Sequence, residues 1–257
     1  LTLDVVALIL ATLPNIVERR EVHLEIQHRI PYSVAMDMLG LIFSFALILV
    51  VIAIGFLMSR SDRFTAEFVR KFVHIGVSNW WFILIATFDT LSYALVGPIV
   101  FIIANGVAVV TGAADVLGVK DKVRNLGLVY FPISLLLLVL LGYDGMLPMW
   151  ACGMGAMAMG YGDGLAGLIG KHFGRKKICG GKSFTGTAVM FVVTMLVVIG
   201  FSAGYRIDSV WSLSWWTGVV VVALLSAALE AFTPFGLDNI TVPLGTAALA
   251  YLMLGVL

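Results

Sequence analysis

Apolar tracts of about 20 residues recur along most of this chain, divided by short charged or turn-rich segments, and each is long enough for an α-helix to cross a bilayer. The clearest run from Met38 to Met58, Phe72 to Phe88, Leu91 to Thr111, Leu126 to Gly142, Met146 to Gly170, Phe184 to Gly204, Leu213 to Phe232 and Ile240 to Leu257. Side chains are 61% hydrophobic and only 12% charged, whereas about a quarter are charged in an ordinary soluble domain. The 27 glycines follow no collagen period and no segment is of low complexity, which excludes fibrous and disordered readings. Two cysteines, Cys152 and Cys179, are too few for a disulfide framework. The expected fold is therefore all-α, a polytopic transmembrane helical bundle of about eight spans.

Two features precede the spans. Leu1 to Val17 is a further apolar tract, short for a crossing and interrupted by Asp4 and Pro14; its flanks do not predict a signal peptide. In Glu18 to Ile30, Val22, Ile26 and Ile30 share one helical face while Arg19, Arg20, Glu21, Glu25 and Arg29 lie elsewhere, which predicts an amphipathic interfacial helix. His23 and His28, five apart, are poorly spaced to bind one metal from one helix face. The expected organisation is thus residues 1–32 as a hydrophobic segment plus interfacial helix, and residues 33–257 as the transmembrane functional domain.

Lysine and arginine fall on alternate loops. Arg60, Arg63, Arg70 and Lys71 precede the second span, Lys120, Lys122 and Arg124 follow the third, and Lys171, Arg175, Lys176, Lys177 and Lys182 follow the fifth. The intervening loops hold little beyond Asp89, Asp144, Arg206 and Asp208. With eight spans all the basic loops face one side, which the positive-inside rule makes the cytoplasm. The net charge of +1 gives no support for nucleic acid as a partner.

Three acidic residues map to the cytoplasmic ends of spans, where charge is costly: Asp163 in the fifth, Glu230 closing the seventh and Asp238 opening the eighth, followed by Asn239. Each taken singly is explained by snorkelling or pairing with a base; all three fall on one basic face. Carboxylates with an amide are hard oxygen donors of the kind that suit Mg²⁺, and the nearby Arg70, Lys71, Lys171, Lys177 and Lys182 suit phosphates. Gly160, Gly164, Gly167 and Gly170 permit close helix packing. Downstream, the backbone N–H groups of a helix start, with Ser183 or Thr185 as cap and Lys182 adjacent, form a natural anion site. It is not a Walker A loop, because Lys176 stands where that loop needs a glycine. Arg70 and His74, four apart on the second span, share a side, and His74 is placed to accept a proton or donate a hydrogen bond there, although a lone histidine at a span end is commonly structural. Asn105, Arg124, Asn125 and Tyr130 are weaker site residues. Such a set suits joining a soluble nucleotide to a lipid head group.

Gly162-Asp163-Gly164-Leu165-Ala166, then Gly170-Lys171-His172-Phe173-Gly174, then Gly181-Lys182-Ser183-Phe184-Thr185-Gly186-Thr187 resembles the signature of the CTP-dependent lipid kinases, which include dolichol, phytol and diacylglycerol kinases. Arg70-Lys71 with His74, and the block Glu230 to Pro243, are similar to that family's amino- and carboxyl-terminal motifs. The resemblance implies transfer of the γ-phosphoryl group of CTP to a membrane lipid alcohol, giving a lipid monophosphate and CDP. By motif, Asp163 would engage Mg²⁺ or the triphosphate, Lys182 and Ser183 the phosphates, with Gly162 and Gly186 in the same blocks, and Glu230, Asp238 and Asn239 the metal or nucleotide side. Asp163 or His74 would orient the hydroxyl. Thr185 departs from relatives that carry Glu there, which leans toward an isoprenoid alcohol. Two rivals stand beside this reading. A CDP-diacylglycerol synthase shares similar central elements but has a different carboxyl-terminal motif. A transporter would use Asp163, Glu230 and Asp238 as coupling-ion ligands. Small-residue helix faces also permit a homodimer.

Overall fold

A computed structural model describes residues 33–112, 126–178, 181–207 and 212–255. The expected apolar tract Leu1 to Val17, the amphipathic segment Glu18 to Ile30 with His23 and His28, and the basic residues Lys120, Lys122 and Arg124 with Asn125 lie outside these, as do Cys179 and Asp208. Among the described residues the protein is all-helical. The helices are α1 (Ser33–Ser59), α2 (Ala66–Ser78), α3 (Trp80–Thr87), α4 (Leu91–Ala94), α5 (Val96–Thr111), α6 (Gly127–Tyr143), α7 (Met149–Met157), α8 (Gly164–Phe173), α9 (Phe184–Gly204), α10 (Leu213–Phe232) and α11 (Asp238–Leu254). A π-helical turn, Ala158–Asp163, joins α7 to α8.

Polar side chains set several of the starts. Thr65 accepts a hydrogen bond from the Phe68 N–H to cap α2, Ser183 from the Gly186 N–H to cap α9, and Ser212 from the Trp215 N–H to cap α10. Gly112, at φ 75°, ends α5 in the left-handed conformation.

Helix α7 is the axis of the bundle: every residue from Ala151 to Met157 is buried. Small side chains make this possible. Gly155 lies against the Pro243 carbonyl of α11, and Gly153 against Phe201 of α9 and Trp81 of α3, so a Cβ at either would collide. α2, α6, α9 and α11 pack around α7, the π turn and α8, and α10 closes the far side against α9 and α11. Trp81, Trp215, Leu84, Leu138, Met154, Met157 and Met190 fill the interior.

The exterior is equally apolar. Ile42, Leu49, Leu196 and Leu224 each expose more than half of their surface, and water would not tolerate such a continuous apolar coat. The molecule is an integral membrane protein. Four helical stretches are long and apolar enough to cross a bilayer: Ser33–Ser59, Leu91–Thr111, Phe184–Gly204 and Leu213–Phe232. The other tracts expected to cross are helical but built differently. Phe72 to Phe88 is divided at Asn79 between α2 and α3, and Met146 to Gly170 carries the π turn. Gly127–Tyr143 is apolar but shorter, and α11 has 17 residues.

Candidate active site

The site starts from the π turn. One extra residue per turn re-aims the side chains that follow it, and such turns recur at functional positions. Glycines on both sides make the turn possible and seat it. Gly160 lies against the Ser78 side chain of α2 and Gly162 against Met190 of α9, where no Cβ would fit. The Tyr161 hydroxyl donates to Asn79 Oδ1 (2.8 Å), pinning the turn to the break between α2 and α3. Asp163, the last residue of the turn, is thereby delivered to the interior with 7% of its surface exposed.

Three side chains from two elements converge on its carboxylate. From α2, the Lys71 ammonium donates to Asp163 Oδ2 and to the Asp163 carbonyl oxygen (3.1 Å). His74, one turn on, places Nε2 3.9 Å from the same Oδ2 and packs against Phe131, the rings tilted by 48° with centroids 4.5 Å apart. From the segment before α9, Lys182 Nζ stands 3.9 Å from Asp163 Oδ1, donates to Asp238 Oδ2 at 2.9 Å, and is ion-paired with Glu230. Burial works against the Lys182 ammonium, but Asp163, Asp238 and Glu230 outweigh it and hold its pKa above the ordinary lysine value. Residues as far apart in sequence as Lys71 and Asp238 thus form one charged cluster inside an apolar bundle. Such a cluster is costly to bury and is characteristic of functional sites.

Asp163, Glu230 and Asp238 each offer a carboxylate oxygen, and these oxygens lie within 4.8 Å of one another. Glu230 Oε2 is buried with no hydrogen-bond partner among the described residues. The donors are all hard oxygens, one has unused valence, and a cationic group already sits among them. The set fits a divalent cation such as Mg²⁺.

Two cavities open from this cluster. A polar one of about 780 Å³ is lined by Glu67, Lys171, Lys177, Gly181, Lys182, Ser183, Gly186, Glu230, Asp238 and the 231–236 loop. An apolar one of about 220 Å³ lies between α1, α2, α5 and α6, lined by Ile48, Val77, Trp80, Phe101, Phe131 and Leu135, with His74 and Asn105. Arg70, Lys71, Asp163 and Asn239 line both.

Other residues expected at the site are placed as follows. Lys171 is 62% exposed on its side chain and paired with Glu67, at the edge of the polar cavity. Ser183 is buried: its hydroxyl donates to the Gly170 carbonyl (3.1 Å) and accepts from the Gly186 N–H (3.1 Å), so it serves the start of α9. Asn239 Nδ2 donates to Asp238 Oδ1 and to the Gly236 carbonyl, fixing the start of α11. Asn105 donates to the Leu128 carbonyl (2.7 Å) and holds α5 on α6. Glu67, Tyr161 and Asn79 escaped the sequence reading; the glycines around Asp163 were the available sign of an irregular turn.

Gly170 explains how α8 holds Lys182 in place. A Cβ there would come 2.7 Å from Ser183 Oγ and 2.9 Å from Gly186 Cα. Gly170→Ala is expected to lower stability by about 1–3 kcal/mol and to displace the start of α9. Thermal unfolding in detergent measures this, and an unchanged melting temperature would contradict it.

The sequence has a counterpart among known proteins. The chain is 35% identical over 216 residues to a phytol kinase from Synechocystis sp., an alignment covering 77% of this chain and 86% of that one. The chain belongs to the phytol kinase-like family of lipid kinases. No model of a protein family and no solved structure matches it. The sequence resemblance drawn from the Asp163, Lys182 and Glu230 to Pro243 blocks therefore led to the right family.

Proposed function

We propose that this protein transfers the γ-phosphoryl group of CTP to the hydroxyl of a membrane-embedded isoprenoid alcohol, giving a prenyl-type monophosphate and CDP. The observation that carries the reading is the shared wall. A polar cavity sized for a small soluble ligand and an apolar cavity meet at Arg70, Lys71, Asp163 and Asn239, as two substrates of opposite polarity require. The relative's name, phytol kinase, supports an isoprenoid acceptor, and the apolar lining of the smaller cavity suits a lipid chain. CTP as donor rests on the motif resemblance.

In this reading the acceptor chain lies along Val77, Phe131 and Leu135, and its hydroxyl reaches His74 and Asp163. His74 Nε2 is buried with no hydrogen-bond partner among the described residues, so it is placed to take the hydroxyl proton as the new O–P bond forms. Asp163 orients that hydroxyl, its carboxylate held in place by Lys71. Arg70, Lys71 and Lys182 supply positive charge to the phosphate oxygens while the bond between the γ-phosphorus and the bridging oxygen breaks and CDP leaves. Asp163, Glu230 and Asp238 would hold Mg²⁺, which when bound supplies neutralisation of phosphate charge. The bundle crosses the membrane eight times and opens its polar cavity to the cytoplasm, on the side of the basic loops.

Incubating the purified protein with γ-labelled CTP, Mg²⁺ and, separately, phytol, geranylgeraniol and diacylglycerol tests the acceptor. Label is expected in the two prenyl-type alcohols. Label confined to diacylglycerol would overturn the isoprenoid assignment.

A further inference from the structure

The charged groups of the polar cavity account for phosphates and a cation, but a nucleoside triphosphate also carries a flat aromatic base. The loop from α10 to α11 supplies a matching surface. It links Glu230 to Asp238, and its Thr233, Pro234, Phe235 and Gly236 all line the polar cavity. Phe235 is the bulky aromatic residue of this loop, and 70% of it is exposed. Its backbone is in the left-handed region at φ 61°, a conformation that disfavours a bulky side chain. Gly236 beside it has φ 78° and bears no such penalty. The chain thus keeps a phenyl ring, largely uncovered, at a position where glycine would relax the backbone. Strain of this kind persists where the side chain serves function.

We propose that Phe235 is the stacking face for the base of the bound nucleotide. The inference rests on the kinase reading above and adds to it a residue for the nucleoside half of the donor. The phosphates and the base are then held by different elements: Arg70, Lys71 and Lys182 grip the triphosphate, and Phe235 covers the ring. Every base has a π-face, so this contact gives affinity for nucleotide over bare polyphosphate and does not choose cytosine.

Binding of CTP and of inorganic tripolyphosphate, each with Mg²⁺, to purified wild type, Phe235→Gly and Phe235→Tyr in detergent tests this. Phe235→Gly relieves the backbone, so its melting temperature is expected to equal or exceed that of wild type. Its Kd for CTP rises by about fivefold or more while its Kd for tripolyphosphate stays within about twofold, and Phe235→Tyr binds CTP as wild type does. Unchanged CTP binding in Phe235→Gly, or parallel loss of CTP and tripolyphosphate, would overturn the stacking role. A rise in KM for the lipid acceptor alone would overturn it as well and make Phe235 an anchor at the membrane surface. Wild type that binds tripolyphosphate as tightly as CTP would refute this contact alone, whereas wild type that binds neither would refute the kinase reading on which it rests.

Discussion

Asp163→Asn is expected to leave a protein that inserts and keeps its helices but phosphorylates lipid about a thousandfold more slowly or worse. The amide fills the same volume at the end of the π turn, and its carbonyl oxygen still accepts from Lys71, so the turn and its Tyr161–Asn79 pin remain. What disappears is the charge at the only point where α2, the π turn and the Lys182 segment all meet a carboxylate among the described residues. In the proposed reading, the three-carboxylate set loses one of its negative charges, and the acceptor hydroxyl loses the carboxylate that orients it. Circular dichroism and detergent extraction report on the fold, and a labelled-lipid assay reports the rate. Near-normal turnover in Asp163→Asn would place the chemistry elsewhere.

Lys182→Met should show a larger structural effect. Its ammonium joins Glu230 and Asp238 and faces Asp163, so the variant leaves three buried carboxylates to repel one another. Losing one partner of a buried pair costs about 3–5 kcal/mol, and the lower end applies because 29% of the Lys182 side chain reaches water. If Lys182 meets the phosphates as proposed, turnover is expected to fall by about a hundredfold or more. The distinctive result concerns the cation. Without the ammonium, the carboxylates recover a positive partner from solution, so millimolar Mg²⁺ raises the melting temperature of Lys182→Met more than that of wild type. Millimolar Mg²⁺ that stabilises neither protein would mean that the three carboxylates do not form a divalent-cation site.

Much of this arrangement was legible in the sequence, for reasons that differ by residue. Span-length apolar runs announced the helices because lipid imposes one length and one polarity on any crossing segment. Asp163, Glu230 and Asp238 stood out because charge inside such runs is costly, and they do share one cluster. Spacing could not show which cation each would meet: Lys71 and Asp163 are 92 residues apart, and Lys171 and Glu67 are 104 apart. The apolar cavity was hidden for another reason. In a membrane protein, Phe131, Val77 and Leu135 have the same composition whether they face lipid, core or a substrate groove. Ser183 was legible as a helix cap, and the structure has it capping α9, while Gly186 brings α9 close to α8; both also line the polar cavity. The break at Asn79 carries no strong signal, because neither glycine nor proline stands there.

The fate of the three phosphorus atoms of CTP tests the central claim most directly. Purified protein is given phytol, Mg²⁺ and CTP labelled at either the α- or the γ-phosphate, and lipid and soluble products are separated. γ-Label is expected in the lipid, α-label in CDP, and one CDP released for each lipid monophosphate. α-Label in the lipid with release of pyrophosphate would instead make the protein a cytidylyltransferase and contradict it.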